Sequence, residues 1–261
     1  PELLDFYRKA GWTEETLAPY HEVELAVRDD KPAPYLVRSR GRRRSWKVEK
    51  FGPPRYAATL DLRAKGTRLY GSTSTDSGAT WSPNALVYES PSGSVCECCH
   101  PSAAVDAQGR VFVMFRNSLD GNRDMYVVRS EDGGKTFGRA AKLGSGTWKL
   151  NACPMDGGAL QIDSTGKAVS IWRREGEVFL STGPSQEQRL GPGRQPILAE
   201  TPRGPVLAWT EGKVLKVIRP GQASAETLDG DAAYPSMIAL PNGSVALAWE
   251  QNGAIVVRSL N

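Results

Sequence analysis

Ser74-Thr75-Asp76-Ser77-Gly78-Ala79-Thr80-Trp81 and Ser130-Glu131-Asp132-Gly133-Gly134-Lys135-Thr136-Phe137 write one turn twice, 56 residues apart. Both fit S-x-D-x-G-x-T-[W/F]. The Asp carboxylate accepts backbone N–H groups and closes the turn. The Gly takes a backbone conformation barred to other residues. The aromatic has an apolar body suited to plugging a gap between sheets. Ser74, Asp76, Gly78 and Trp81, with Ser130, Asp132, Gly134 and Phe137, are therefore expected to be structural.

Outward from these turns the apolar period is two. VFVMF (111–115), MYVVRS (125–130), AVSIW (168–172), VLAW (206–209), VALAW (245–249) and AIVVRS (254–259) read as strands bounded by Gly, Pro, Asn and Asp. Stacked, they form repeats that open at Arg55, His100, Cys153, Gln195 and Tyr234, spaced 45, 53, 42 and 39 residues. Every unit but the first opens with a residue–Pro pair. A unit of about 40–50 residues with three or four strands is a propeller blade. Stretches 22–27 and 34–38 read as further strands, which predicts six blades, with five as the alternative.

Composition agrees. The chain has 261 residues with 27 Gly and 18 Pro, which suits many short strands and few long helices. Residues 1–20 have helical spacing and predict an N-terminal helical cap, followed by one propeller domain over 21–261. The net charge is +4, and much of the excess lies in Arg38, Arg40, Arg42, Arg43, Arg44 and Lys47. Such a run reads as a solvated loop or as a holder of phosphates or acidic glycans. It lacks the aromatic interleaving of a nucleic-acid face. No apolar run is long enough for a transmembrane helix, and Pro1 to Ala10 do not read as a signal peptide.

The doubled turn resembles the Asp box, or bacterial neuraminidase repeat, of the sialidase superfamily. The resemblance implies an all-β, sialidase-like propeller whose Asp boxes lie on outer turns, away from any active site. It also implies a central funnel lined by the residues that open each unit, with a second ring at Arg116, Arg173, Thr210 and Glu250. The stretch from Ala233 to Glu250 looks like the sialidase segment that carries a nucleophilic Tyr, here Tyr234. The Glu250 position then holds an arginine. Sialidases grip a substrate carboxylate with three arginines, for which Arg55, Arg116 and Arg173 are the candidates, with Gln195 beside them. The acid/base Asp and the carboxylate that would activate Tyr234 find no counterpart.

The four cysteines are the most unusual chemistry. Three crowd into Cys96-Glu97-Cys98-Cys99-His100, and Cys153 opens the next unit. Disulfides are one reading, with Cys96 or Cys99 joined to Cys153. A Cys98–Cys99 pair is strained, since trans neighbours lie about 3.8 Å apart. Copper or zinc held by the Cys/His cluster is a second reading. Haem attachment through Cys96-x-x-Cys99-His100 is a third, and free buried thiols a fourth. The C-x-C-C segment, Arg123-Asp124-Met125-Tyr126 and Trp148 to Pro154 resemble a subgroup of sialidase-like bacterial propellers, over about residues 70–175.

Three functions follow as expectations. The first is a non-catalytic module binding an acidic glycan or a protein, monomeric and periplasmic or secreted. The second is an exo-α-sialidase-type hydrolase using Tyr234, Glu250 and the arginines. The third is a Cys/His metal-binding propeller.

Overall fold

The computed structural model describes residues 55–61, 65–76, 78–183 and 186–260. The expected helical cap, the basic run and the strands at 22–27 and 34–38 lie outside the described residues. Every regular element within them is a strand. The strands pair into five sheets, each an antiparallel meander in chain order. The first contains β1 (Arg55–Asp61), β2 (Arg68–Ser74) and β3 (Ala85–Tyr88). The second contains β4 (Ser102–Val105), β5 (Val111–Arg116), β6 (Met125–Ser130) and β7 (Ala141–Lys142). The third runs through β8 (Ala159–Ile162), β9 (Ala168–Arg174), β10 (Glu177–Ser181) and β11 (Gln188–Pro192). The fourth has β12 (Arg194–Thr201), β13 (Gly204–Glu211), β14 (Val214–Ile218) and β15 (Glu226–Asp229). The fifth has β16 (Ala232–Ala239), β17 (Val245–Gln251) and β18 (Ala254–Leu260).

Among the described residues the chain divides into two compact units, one holding 55–57 and 73–82 and the other 58–72 and 83–260. Within the larger unit the apolar cores lie between consecutive sheets. Met114 and Met125 of the second sheet pack with Leu160 and Trp172 of the third. Val169, Ile171 and Val178 of the third pack with Leu198, Leu207 and Trp209 of the fourth. Val206, Ala208 and Val217 of the fourth then pack with Leu247 and Trp249 of the fifth.

This explains the sequence pattern of the middle strands. Side chains alternate across a strand. In β13, Leu207 and Trp209 serve one core while Val206 and Ala208 serve the next. A strand buried on both faces reads as a continuous apolar run rather than an alternation. All six residues of β5 are buried for the same reason.

Candidate functional site

The two Asp-box turns have matching hydrogen bonds. Asp76 Oδ1 accepts from Ser74 Oγ and Thr80 N, both at 2.8 Å, and Oδ2 accepts from the Thr80 hydroxyl. Asp132 repeats this with Ser130 Oγ at 2.7 Å, Thr136 N at 2.9 Å and the Thr136 hydroxyl at 2.6 Å. Gly78 and Gly134 take φ of 93° and 89° and donate their N–H to Ser74 and Ser130. The Thr80 hydroxyl, with the other donors, holds the Asp76 carboxyl down at about 2. Thr136 lowers Asp132 in the same way. Trp81 and Phe137 are half-buried. The Ser and Thr hydroxyls of both boxes serve the turn itself.

Strand register locates the start of each sheet. Ser102, Ala159, Ile197 and Ser236 sit opposite Met114, Ile171, Ala208 and Ala248. Two residues earlier lie His100, Gly157, Gln195 and Tyr234. Three of the expected blade-start residues thus share one structural position. The third sheet differs: Gly157 takes that place and Cys153 lies further out in an inserted loop. The reason is steric. A Cβ on Gly157 would sit 1.9 Å from the His100 carbonyl oxygen, so only glycine fits. Gln195 and Tyr234 share a further peculiarity, a left-handed φ of 54° and 50°. Both precede a proline, and the ladder shifts register beside each. Gln195 Oε1 accepts from Tyr234 N at 3.1 Å, and Gln195 N donates to Asp156 Oδ2 at 2.9 Å. These bonds tie the third, fourth and fifth sheets at their starts. Tyr234 itself is 70% exposed.

Arg116, Arg173, Thr210 and Glu250 follow the equivalent residues Phe115, Trp172, Trp209 and Trp249. Arg116 is 1% exposed. Its Nε and Nη2 donate to the Asp156 carbonyl at 3.2 and 2.9 Å. Nη2 also reaches the Arg173 carbonyl at 2.9 Å, and Nη1 the Arg123 carbonyl at 2.6 Å. Four of its five N–H groups are therefore spent on backbone. Arg173 donates to the Pro154 carbonyl at 3.0 Å, and its Nε lies 3.6 Å from Asp156 Oδ2. Trp148 lies within 5.4 Å of the Arg116 guanidinium and 5.2 Å of that of Arg173, so both cations are within reach of its π system. Thr210 is buried and bonds Gln195 Oε1 at 3.3 Å, while Glu250 is exposed. The Arg55 side chain lies outside the described residues. Among the described groups, no carboxylate bonds the Tyr234 hydroxyl.

The cysteines do converge. The backbone N–H of Cys96 donates to the Arg116 carbonyl at 3.0 Å, which pins the sulfur loop to the end of β5. The Sγ atoms of Cys96, Cys98 and Cys99 are 3.5 Å (96–99), 3.7 Å (96–98) and 3.9 Å (98–99) apart. All four cysteines are free thiols. The Cys96 thiol donates to Cys99, which raises Cys96 and lowers Cys99 to about 5. The Arg116 guanidinium and the Asp156 N–H add to the lowering of Cys99. Burial pushes the Cys98 thiol up to about 11, with the Cys153 thiol beside it. His100 stands apart from the sulfurs, with Nε2 3.2 Å from the Gly158 carbonyl.

The residue missed in the sequence is Asp156. Its carbonyl holds Arg116, its carboxylate holds Gln195 N and faces Arg173, and its N–H reaches Cys99. It directly precedes Gly157, and the insertion that displaced Cys153 from the repeat hid its register with Cys99, Arg194 and Ala233.

Comparison with known proteins agrees with this architecture. Among solved structures the chain is similar to the Hadza microbial sialidase Hz136, with TM-score 0.50 and 18% identity over 77% of this chain. It spans only 53% of that sialidase. It is similar to the α-L-arabinofuranosidase Arb93A of Fusarium graminearum in complex with an iminosugar inhibitor, with TM-score 0.52, 11% identity and 79% and 70% of the two chains covered. It is also similar to the Aleuria aurantia lectin in complex with Fucα1-6GlcNAc, with TM-score 0.50, 11% identity and 79% and 75% covered. No match is found among curated protein sequences. The fold is thus all-β and sialidase-like. A family model described as the BNR repeat-like domain matches residues 50–247. With three-quarters of its length inside that match, the chain belongs to the BNR repeat-like domain family.

Proposed function

We propose that the chain is a non-hydrolytic propeller that recognises a glycan at the starts of its fourth and fifth sheets. The observation that carries this reading is the state of Arg116. A guanidinium that is 1% exposed and gives four N–H bonds to carbonyls has little left for a substrate carboxylate. Tyr234 supplies the contact surface. Its backbone is clamped by Gln195 in a left-handed conformation, and its ring is exposed. Strain held by surrounding structure is a mark of functional positions, and a rigid aromatic offers contact area at little entropic cost. The similar proteins include a sialidase, an arabinofuranosidase and a lectin, so sugar ligands suit this architecture.

The test is a glycan array alongside a fluorogenic sialoside assay. The expected result is glycan binding that Tyr234→Ala removes without a change in thermal midpoint, and no hydrolysis. Sialoside turnover that Tyr234→Phe abolishes would establish the exo-α-sialidase reading instead. Failure to bind any glycan, with retention of a protein ligand, would overturn the carbohydrate assignment.

A further inference from the structure

We infer that Cys96, Cys98 and Cys99 form a three-sulfur site for a soft monovalent metal ion, Cu(I). The three Sγ atoms make a nearly equilateral triangle with edges of 3.5, 3.7 and 3.9 Å. A point equidistant from them lies about 2.1 Å from each sulfur, close to the ~2.3 Å of metal–thiolate bonds. The thiols therefore need little rearrangement to close on an ion.

The donor set decides which ion. Harder groups nearby are engaged elsewhere. His100 Nε2 faces the Gly158 carbonyl. Asp156 gives its carboxylate to Gln195 N and Arg173. Glu97 accepts from Ser94 Oγ at 3.2 Å. A structural zinc site closes with four ligands, and here the fourth cysteine is outside the group of mutually close sulfurs. Cys153 lies beside Cys98 and is exposed. Three thiolates without nitrogen or oxygen select a soft ion.

Charge and access support the same ion. Three thiolates with Cu(I) carry two net negative charges, and Arg116 and Arg173 stand beside the cluster with two positive ones. The N–H groups of Met155 and Asp156 point to the sulfurs of Cys98 and Cys99, which are the outer-shell donors that orient metal ligands. Binding forms three S–Cu bonds as the remaining thiol protons leave to solvent, with no change in oxidation state. Cys96 and Cys99 are buried, Cys98 is half-buried, and Cys153 and Met155 are exposed. One further soft sulfur, that of the exposed Cys153, thus stands beside Cys98 on the solvent side of the site, where an ion arrives.

The test loads the whole reduced chain anaerobically with Cu(I) in competition with a chromogenic Cu(I) chelator. One equivalent is expected to be retained. X-ray absorption should show three sulfur neighbours and no nitrogen or oxygen. Cys98→Ser, at a half-buried position, should weaken retention about 100-fold or more, with the apoprotein's thermal midpoint measured as the control for folding, and Cys153→Ser less than about 10-fold. Four-coordinate zinc held more tightly than Cu(I), with Cys153→Ser as damaging as Cys98→Ser, would overturn the assignment. So would Cu(I) retention unaffected by Cys98→Ser, or fewer than four titratable thiols in protein purified without reductant and stripped of metal under denaturing conditions.

Discussion

Replacing Arg116 by methionine separates a structural arginine from a ligand-binding one. Methionine keeps most of the side-chain volume, so little cavity results. What is lost is polar. One buried carbonyl oxygen, of Asp156, and two partly buried ones, of Arg123 and Arg173, lose the guanidinium that serves them. An unsatisfied buried acceptor costs about 1–3 kcal/mol, and the loss of a cation from the Trp148 ring about 0.5–2 kcal/mol. Relief of the guanidinium's own burial offsets part of this. A net loss of about 2–4 kcal/mol is expected, a large share of the ~5–15 kcal/mol by which domains are stable. Urea unfolding followed by tryptophan fluorescence should show a lower midpoint at unchanged slope. Arg116→Lys should recover little, because one ammonium cannot reproduce the planar fork. A loss below about 1 kcal/mol together with a loss of ligand binding would refute the reasoning and return Arg116 to the binding site.

Gly157→Ala forces a Cβ against the His100 carbonyl and should destabilise by about 1–3 kcal/mol in the same urea assay; a neutral result would show that the two loops separate freely. Trp249→Ala, at a side chain 1% exposed, should cost about 3–5 kcal/mol, whereas Tyr234→Gly should stay within about 1 kcal/mol because glycine suits the left-handed backbone. Asp76 is lowered from 3.8 to about 2 in the folded state. Its contribution is therefore complete above pH ~4 and lost as pH falls toward 2. The thermal midpoint should drop over that window, and Asp76→Asn should flatten the drop; an unchanged slope in the variant would show that the turn carboxylate is not responsible.

Legibility followed repetition. The Asp boxes could be read because each is a closed local circuit of side chain to backbone, complete within seven or eight residues. The strands could be read because two-sided burial writes runs such as VFVMF and VALAW into the sequence. His100, Gln195 and Tyr234 share one register position because a nearly constant distance to a strand aromatic sets it. Cys153 falls outside it, because the inserted loop breaks that distance and a glycine takes the place. The fate of Arg116 and Arg173 was not legible either. Both follow a strand aromatic, where a funnel arginine was expected, yet their partners are backbone carbonyls of loops 40 and 19 residues away, and carbonyls carry no side-chain signature. Proximity of Cys96, Cys98 and Cys99 followed from adjacency in sequence. The separation of His100 from them did not, since it depends on the direction of one ring.

The middle strands of the sheets act as party walls. Leu207 and Trp209 belong to one compartment and Val206 and Ala208 to the next, so neither compartment is complete without that strand. Deleting the fourth sheet would open two compartments rather than remove one. Solenoids also gain their stability from neighbours, but there a terminal repeat can be shed at the loss of one interface. In this chain an inner sheet such as the fourth shares a core with each of its neighbours, so melting that starts at its wall has two directions in which to spread.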